Sequence, residues 1–170
     1  KLSSIEKYLN SEKIIRIMPN TPAKIGLGVI AVCYGNNVDD QERQLCRELL
    51  ANLGKCFEGD EQNLNVIGAI CGCGPAFVYR FMEALCAEGC RYGLDADSVR
   101  EMVELTLLGS ANMSKNNPEI SLQSLREAVT SKGGTTYAGL QMMTQGKFEE
   151  MMTATIKASL DRTYEFEKLY

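Results

Sequence analysis

The sequence predicts an α/β tail, the end of an open sheet, followed by an all-α helical domain. Two observations predict it. Short β-branched-rich runs flanking one amphipathic helix occupy residues 1–60, and from about Asp60 onward the apolar residues recur at helical spacing. The composition, 45% hydrophobic and 24% charged with 15 Gly and 4 Pro in 170 residues, is that of a globular chain of one domain, or of one and a piece of another.

The opening KLSSIEKYLNSEKIIRIMPN reads as a helix running into a strand, and with Lys1 in first place it raises the expectation that the chain is a fragment. Residues 14–18 (IIRIM) and 29–34 (VIAVCY) read as strands bounded by turn residues. Between them Pro19 and Pro22 each remove a backbone donor and push the preceding residue toward an extended conformation, so PNTPAKIGLG is expected to be a loop. Asp39 with Glu42 spells a capping box, after which Leu45, Leu49, Leu50 and Leu53 line one face of a helix stopped by Gly54. KCFEG is then a third strand.

Further on, Phe77, Val78, Phe81, Met82, Leu85 and Cys86 predict a partly buried helix, with Arg80, Glu83 and Arg91 on its other side. The helix over about 96–113 carries Val99, Met102, Val103, Leu105, Leu107 and Leu108 on more than one face. It needs cover that a small helical domain does not supply alone, which predicts a subunit interface. A polar stretch, a short helix, the segment AVTSKGGTTYAGLQMM and a long helix from near Phe148 complete the chain.

Eighteen basic against 22 acidic residues, with no run of like charge, leave no electrostatic footprint for nucleic acid. No apolar stretch is read as reaching the roughly 18–20 residues that span a bilayer, and no apolar signal-peptide centre stands at the start, so a cytoplasmic location is expected. Seven cysteines, an odd number, fit reduced thiols better than a disulfide framework. Cys71, Cys73, Cys86 and Cys90 lack the spacing of a common zinc module and the chain has no histidine, so they are read as small core residues and no metal is expected. Met142, Met143, Met151 and Met152 are read as core filler. Gly26-Leu27-Gly28-Val29-Ile30-Ala31 spells G-x-G-x-x-A, but a dinucleotide fingerprint follows a strand and opens a helix, and this one precedes a strand.

Residues 129–140, VTSKGGTTYAGL, hold the most chemistry. Adjacent Gly133 and Gly134 let the backbone approach a ligand, and unpaired N–H groups at the start of the following helix favour an anion such as a carboxylate. From the residues alone, this anion site and a capped turn with no ligand both stand.

Three separated stretches, IIRIMPNTPAKIGLGVIAV, GAICGCGPAFVY and LREAVTSKGGTTYAGL, resemble successive signatures of the pyrroline-5-carboxylate reductases, and the likeness spans nearly the whole chain. The resemblance implies the α/β tail of a Rossmann-type sheet over residues 1–60, then an all-α helical substrate-binding and dimerisation domain over 61–170. The glycine fingerprint for NADPH or NADH is expected upstream of Lys1. It also implies that Val129, Ser131, Gly133, Gly134, Thr135 and Thr136 hold the substrate carboxylate and ring, with Thr136 as the catalytic hydroxyl reaching the ring nitrogen. Met18, Pro19, Asn20 and Thr21 match the family stretch near the nicotinamide, joined by Gly74 and Pro75. Lys132 stands where many members have Pro, and Cys71 and Cys73 where the middle signature usually has Ser, which weakens any hydrogen bond those hydroxyls made. The implied reaction is hydride transfer to the imine of 1-pyrroline-5-carboxylate to give L-proline, in a homodimer or larger homo-oligomer.

Two rivals remain. One is a non-catalytic dimerisation module, toward which Cys71 and Cys73 lean. The other is a related β-hydroxyacid or imine dehydrogenase, whose interdomain-helix lysine has no counterpart in residues 75–92.

Overall fold

The computed structural model describes residues 1–169. Helix α1 (Leu2–Leu9) leads into a three-stranded sheet of β1 (Ile15–Pro19), β2 (Gly28–Tyr34) and β3 (Gly54–Glu58), in that spatial order. Strands β1 and β2 are antiparallel, with Ile15 opposite Tyr34 and Pro19 opposite Ile30. Strands β2 and β3 are parallel, with Gly28 opposite Gly54, and are joined through helix α2 (Asp40–Leu50).

The central strand β2 is buried on both faces, as a strand between two helical layers must be. Ile30 and Val32 pack on Cys46 and Leu50 of α2, whereas Ala31 and Cys33 pack on Leu64 of α3 (Glu61–Ile67). Each helix starts on a reciprocal cap. Asp39 accepts from the Glu42 N–H while Glu42 accepts from the Asp39 N–H, and Asp60 and Asn63 repeat the exchange.

Two expectations change in this part. The segment after β1 contains a 3-10 turn, Thr21–Ile25, because the Asn20 carbonyl accepts from the Ala23 N–H and Pro22 occupies a first-turn position that needs no donor. Gly26 closes that turn at φ 73° and Gly28 opens β2, so these glycines serve turn and sheet. Helix α2 stops at Leu50, and only Cys46 and Leu50 on it are buried, while Leu45 and Leu49 stay 56% and 71% exposed. The sheet takes one i, i+4 pair, not the four-leucine face.

After α3 the chain makes a π turn, Gly68–Gly72, and continues as α4 (Gly74–Arg91). Because the two helices run on through this turn, residues 61–91 form one stretch with an apolar window of mean hydropathy 1.3, long and apolar enough by composition to cross a bilayer. The expectation that no such stretch exists is corrected: its apolar residues, Val66, Ile67, Ile70, Phe77 and Val78 with Cys and Ala among them, are interrupted by Gly68, Gly72, Gly74 and Pro75 and so do not show as an unbroken run. The same stretch packs Leu64 on the sheet and donates from buried Asn65 to Glu167 at 2.8 Å.

Helices α5 (Ala96–Asn116), α6 (Leu122–Ala128), α7 (Thr135–Gln145) and α8 (Phe148–Leu169) follow. Among the described residues of α4 to α8, only Val99 and Val103 are buried. Val78, Phe81 and Leu85 of α4 and Met142 and Met151 are exposed, so the methionines do not fill a core of the single chain. By contact the chain forms two compact units, Lys1–Phe77 with the C-terminal stretch from Ala154, and Val78–Thr153.

Candidate functional site

The first group of candidate residues lies where β1 ends. Met18–Thr21 form the end of β1 and the start of the 3-10 turn, beside the first residues of β2. Asn20 is tied on three sides. Its backbone N–H donates to the Val29 carbonyl at 3.2 Å, its Oδ1 accepts from the Val29 N–H at 3.0 Å, and its Nδ2 donates to the Cys71 carbonyl at 3.0 Å. Met18 lies against Gly68, where an added Cβ would fall 2.7 Å from the Met18 Cε. The fold therefore brings the stretch around Met18 and Asn20 onto the π turn that precedes Gly74 and Pro75. Gly72 and Gly74 have nothing within 4 Å of the place a Cβ would take, so their backbone is open to approach.

Cys71 and Cys73 are half-buried on this turn, and all seven cysteines are free thiols. Cys33 and Cys46 are buried in the core, and burial, with the Glu61 charge adding to it, pushes the Cys33 thiol up. The core reading of the four later cysteines is corrected: Cys71, Cys73 and Cys86 are half-buried and Cys90 is exposed. Among the described residues no three His, Cys, Asp or Glu side chains group closely enough to hold a metal ion.

The second group, 129–136, lies in the other compact unit. Helix α6 ends at Val129, and the Thr130 hydroxyl turns back to donate to the Arg126 carbonyl at 2.6 Å. Gly133 takes φ 74°, the left-handed region that favours glycine, and the Gly134 N–H donates to the Ser131 carbonyl at 3.0 Å. A Cβ on Gly134 would collide with the Ser131 hydroxyl. Helix α7 begins at Thr135 with no side-chain cap, and the Ala138 N–H, bonded to the Gly134 carbonyl, is the first to enter the helix. The N–H groups of Thr135, Thr136 and Tyr137 are thus the ones the helix leaves unpaired at its positive end. Thr135 and Thr136 are exposed, and Lys132 is exposed on the turn. A hollow of about 370 Å³ adjoins the loop, lined among others by Arg126, Thr130, Tyr137, Thr144 and Phe148.

Sequence reasoning missed the Val29 N–H, the Cys71 carbonyl and Gly68. Each is a backbone group or a small residue whose role exists only once strand and π turn meet.

A family model described as pyrroline-5-carboxylate reductase dimerisation matches residues 61–166, more than half of the chain. The chain belongs to the pyrroline-5-carboxylate reductase family. The pyrroline-5-carboxylate reductases of Vibrio alginolyticus and Pasteurella multocida are 37% and 35% identical over 158 and 161 residues, 92% and 94% of this chain. The chain spans 58% of the length of each. A crystal structure of Plasmodium falciparum pyrroline carboxylate reductase with NADP bound superposes with a TM-score of 0.88 at 30% identity, over 94% of this chain and 64% of that one. The structure of the Coxiella burnetii pyrroline-5-carboxylate reductase gives 0.90 at 30% identity, over 97% and 62%. In a family of this fold the three-stranded sheet is the tail of a Rossmann-type domain, and the helices after it are the dimerisation domain.

Proposed function

We propose that this chain is the C-terminal, substrate-binding and subunit-pairing part of an NAD(P)H-dependent pyrroline-5-carboxylate reductase, which converts 1-pyrroline-5-carboxylate to L-proline in the cytoplasm. The observation that carries the reading is the 131–136 turn, where paired glycines open onto an uncapped helix start. The unpaired N–H groups of Thr135, Thr136 and Tyr137 receive the substrate carboxylate, and the missing Cβ atoms of Gly133 and Gly134 let it come close. Val129 and Ser131 flank the ring. The Thr136 hydroxyl, which takes no partner among the described residues, faces the ring nitrogen.

The residues present fit the nicotinamide end of the cofactor and not its pyrophosphate. The exposed Pro19 and Thr21, with Met18 and Asn20 beside them and the open Gly74 next to Pro75, leave room for a flat ring. No strand, glycine turn and helix of the phosphate-cradling kind occurs among the described residues. NADPH or NADH, when bound, supplies the hydride that the imine carbon accepts. The chain's own part is to hold the carboxylate, orient the ring and exclude water. The nitrogen ends protonated, and with no histidine in the chain the proton arrives with an iminium substrate or through Thr136 and water.

The division at residues 60 and 61 is supported by a family match that begins at residue 61. A homodimer is supported by that match and by the uncovered apolar faces of the helical part. The rival non-catalytic module has Cys71 and Cys73 in its favour and the open, uncapped loop against it. The test is Gly134→Val in the full-length protein carrying this sequence. The collision with Ser131 closes the turn, so the KM for pyrroline-5-carboxylate rises at least tenfold while the cofactor KM stays within twofold or so. Unchanged substrate KM would return the loop to a capped turn without a ligand.

A further inference from the structure

We infer that Asn20 acts as a positioning residue that takes the place of the backbone donor missing at Pro75. The inference rests on the proposed reductase function and deepens it by assigning how one face of the cofactor site is built. Residues 61–91 run as one helical stretch through the π turn, and Pro75 sits four residues after Cys71 in it. In a continuous helix the N–H of residue 75 would bond the carbonyl of residue 71; proline has no N–H, and its ring presses on that same carbonyl. The following N–H, on Ala76, does not rescue it, because that group donates to the Cys73 carbonyl at 3.0 Å. The Cys71 carbonyl accepts instead from the Asn20 Nδ2 at 3.0 Å in a part-buried setting. The other end of the same amide accepts from the Val29 N–H, so one planar side chain clamps the broken turn of the helix to the second strand of the sheet.

Two consequences follow for Asn20. First, one N–H and one lone pair of its amide are engaged within the fold, which fixes the plane of the side chain. Second, it fixes the distance between Met18–Pro19 and Gly72–Pro75, the two walls of the open surface. The carbonyl freed by Pro75 is the lock and the Asn20 amide is the key, and each is useless without the other. Asp in place of Asn keeps the acceptor for Val29 but has no donor for Cys71. Ala in place of Pro75 restores the helical donor and makes the Asn20 donor redundant.

The experiment is a cycle of Asn20→Ala, Asn20→Asp, Pro75→Ala and Asn20→Ala/Pro75→Ala in the full-length protein, read by steady-state kinetics, unfolding midpoint and hydrogen exchange at the Val29 amide. Losing one partner of a part-buried hydrogen bond costs on the order of a tenfold change in equilibrium. Asn20→Ala should therefore raise the cofactor KM about tenfold, leave kcat at saturating cofactor within about threefold, and speed exchange at Val29. Asn20→Asp should raise the cofactor KM alike while Val29 stays protected. In the Pro75→Ala background, Asn20→Ala should add less than about threefold. Independent, multiplying effects of the two substitutions, or a wild-type cofactor KM in Asn20→Asp, would overturn the inference. If the wild-type protein reduces no pyrroline-5-carboxylate, the proposed function fails separately. The same cycle in unfolding midpoints and Val29 exchange then decides the role of Asn20, with additive midpoint losses counting against it.

Discussion

Replacing Leu105 and Leu108 by Ala should weaken self-association of the chain far more than it weakens its fold. Both side chains belong to α5, and in the single chain they stay 60% and 55% exposed while Val99 and Val103 on the same helix are buried. Full burial of a leucine side chain contributes about 1.5–3 kcal/mol, so covering the exposed half or so of each contributes about 1–2 kcal/mol. In a two-fold interface the same residues are covered on both copies, and the double substitution, less the Cβ that each alanine keeps, removes about 3–7 kcal/mol. At 1.4 kcal/mol per decade the dimer Kd rises at least about a hundredfold. The fold loses little, because neither side chain is in the buried core. Sedimentation equilibrium over a concentration series gives the Kd, and urea unfolding well below that Kd gives the monomer stability. A dimer of unchanged Kd in the double variant would refute the reasoning that these faces are covered by a second copy.

Other outcomes follow from the same structure. Thr136→Val should lower kcat of the full-length protein about ten- to a hundredfold with little change in cofactor KM, as steady-state kinetics would read, since the proposed role of this hydroxyl at the reacting nitrogen is lost. Leu64→Ala, at a fully buried site between α3 and β2, should cost about 2–5 kcal/mol in urea unfolding. Acid should loosen the sheet unit. The Arg47 hydrogen bond holds the Glu58 carboxyl below its usual range, and the Glu42 N–H and the Lys13 ammonium do the same for Asp39 and Glu42 respectively. A carboxylate depressed in the folded state contributes stability above its unfolded pKa of about 4, and that contribution is lost as pH falls through the lower folded value. Unfolding midpoints should thus drop from about pH 4 downward, and Arg47→Met should flatten the drop; because these pairs are largely solvent-exposed the change is small, a few degrees at most.

Much of the fold is written in local signals. The strand β2 is visible as VIAVCY because a strand buried on both faces is continuously apolar, and the Asp39–Glu42 box is visible because both of its partners lie within four residues. The Asp60–Asn63 box is less so, since Asn stands where Glu or Gln is usual. Leu45 and Leu49 misled because helical periodicity reports a face without saying how much of it the sheet covers, and Met142 and Met151 because exposed methionine in one chain has the same spacing as core methionine. The 3-10 turn at Thr21–Ile25 and the π turn at Gly68–Gly72 close on their own backbone, the latter from the Cys73 N–H to the Gly68 carbonyl, but what holds them in place comes from far away in sequence. Asn20 with Cys71, 51 residues apart, and Asn65 with Glu167, 102 apart, are such distant ties, and no window of sequence contains both members. In the candidate site, Gly133 and Gly134 were legible as permissive backbone; that α7 starts uncapped was not, since Ser131 and Thr135 both have hydroxyls able to cap it.

The central claim is that this chain is the substrate-holding part of a reductase, and product formation tests it most directly. The full-length protein carrying this sequence, given 1-pyrroline-5-carboxylate and NADPH or NADH, should form one L-proline for each reduced nicotinamide consumed. A folded dimer that forms no proline with either cofactor would contradict the account and leave the chain as a dimerisation module.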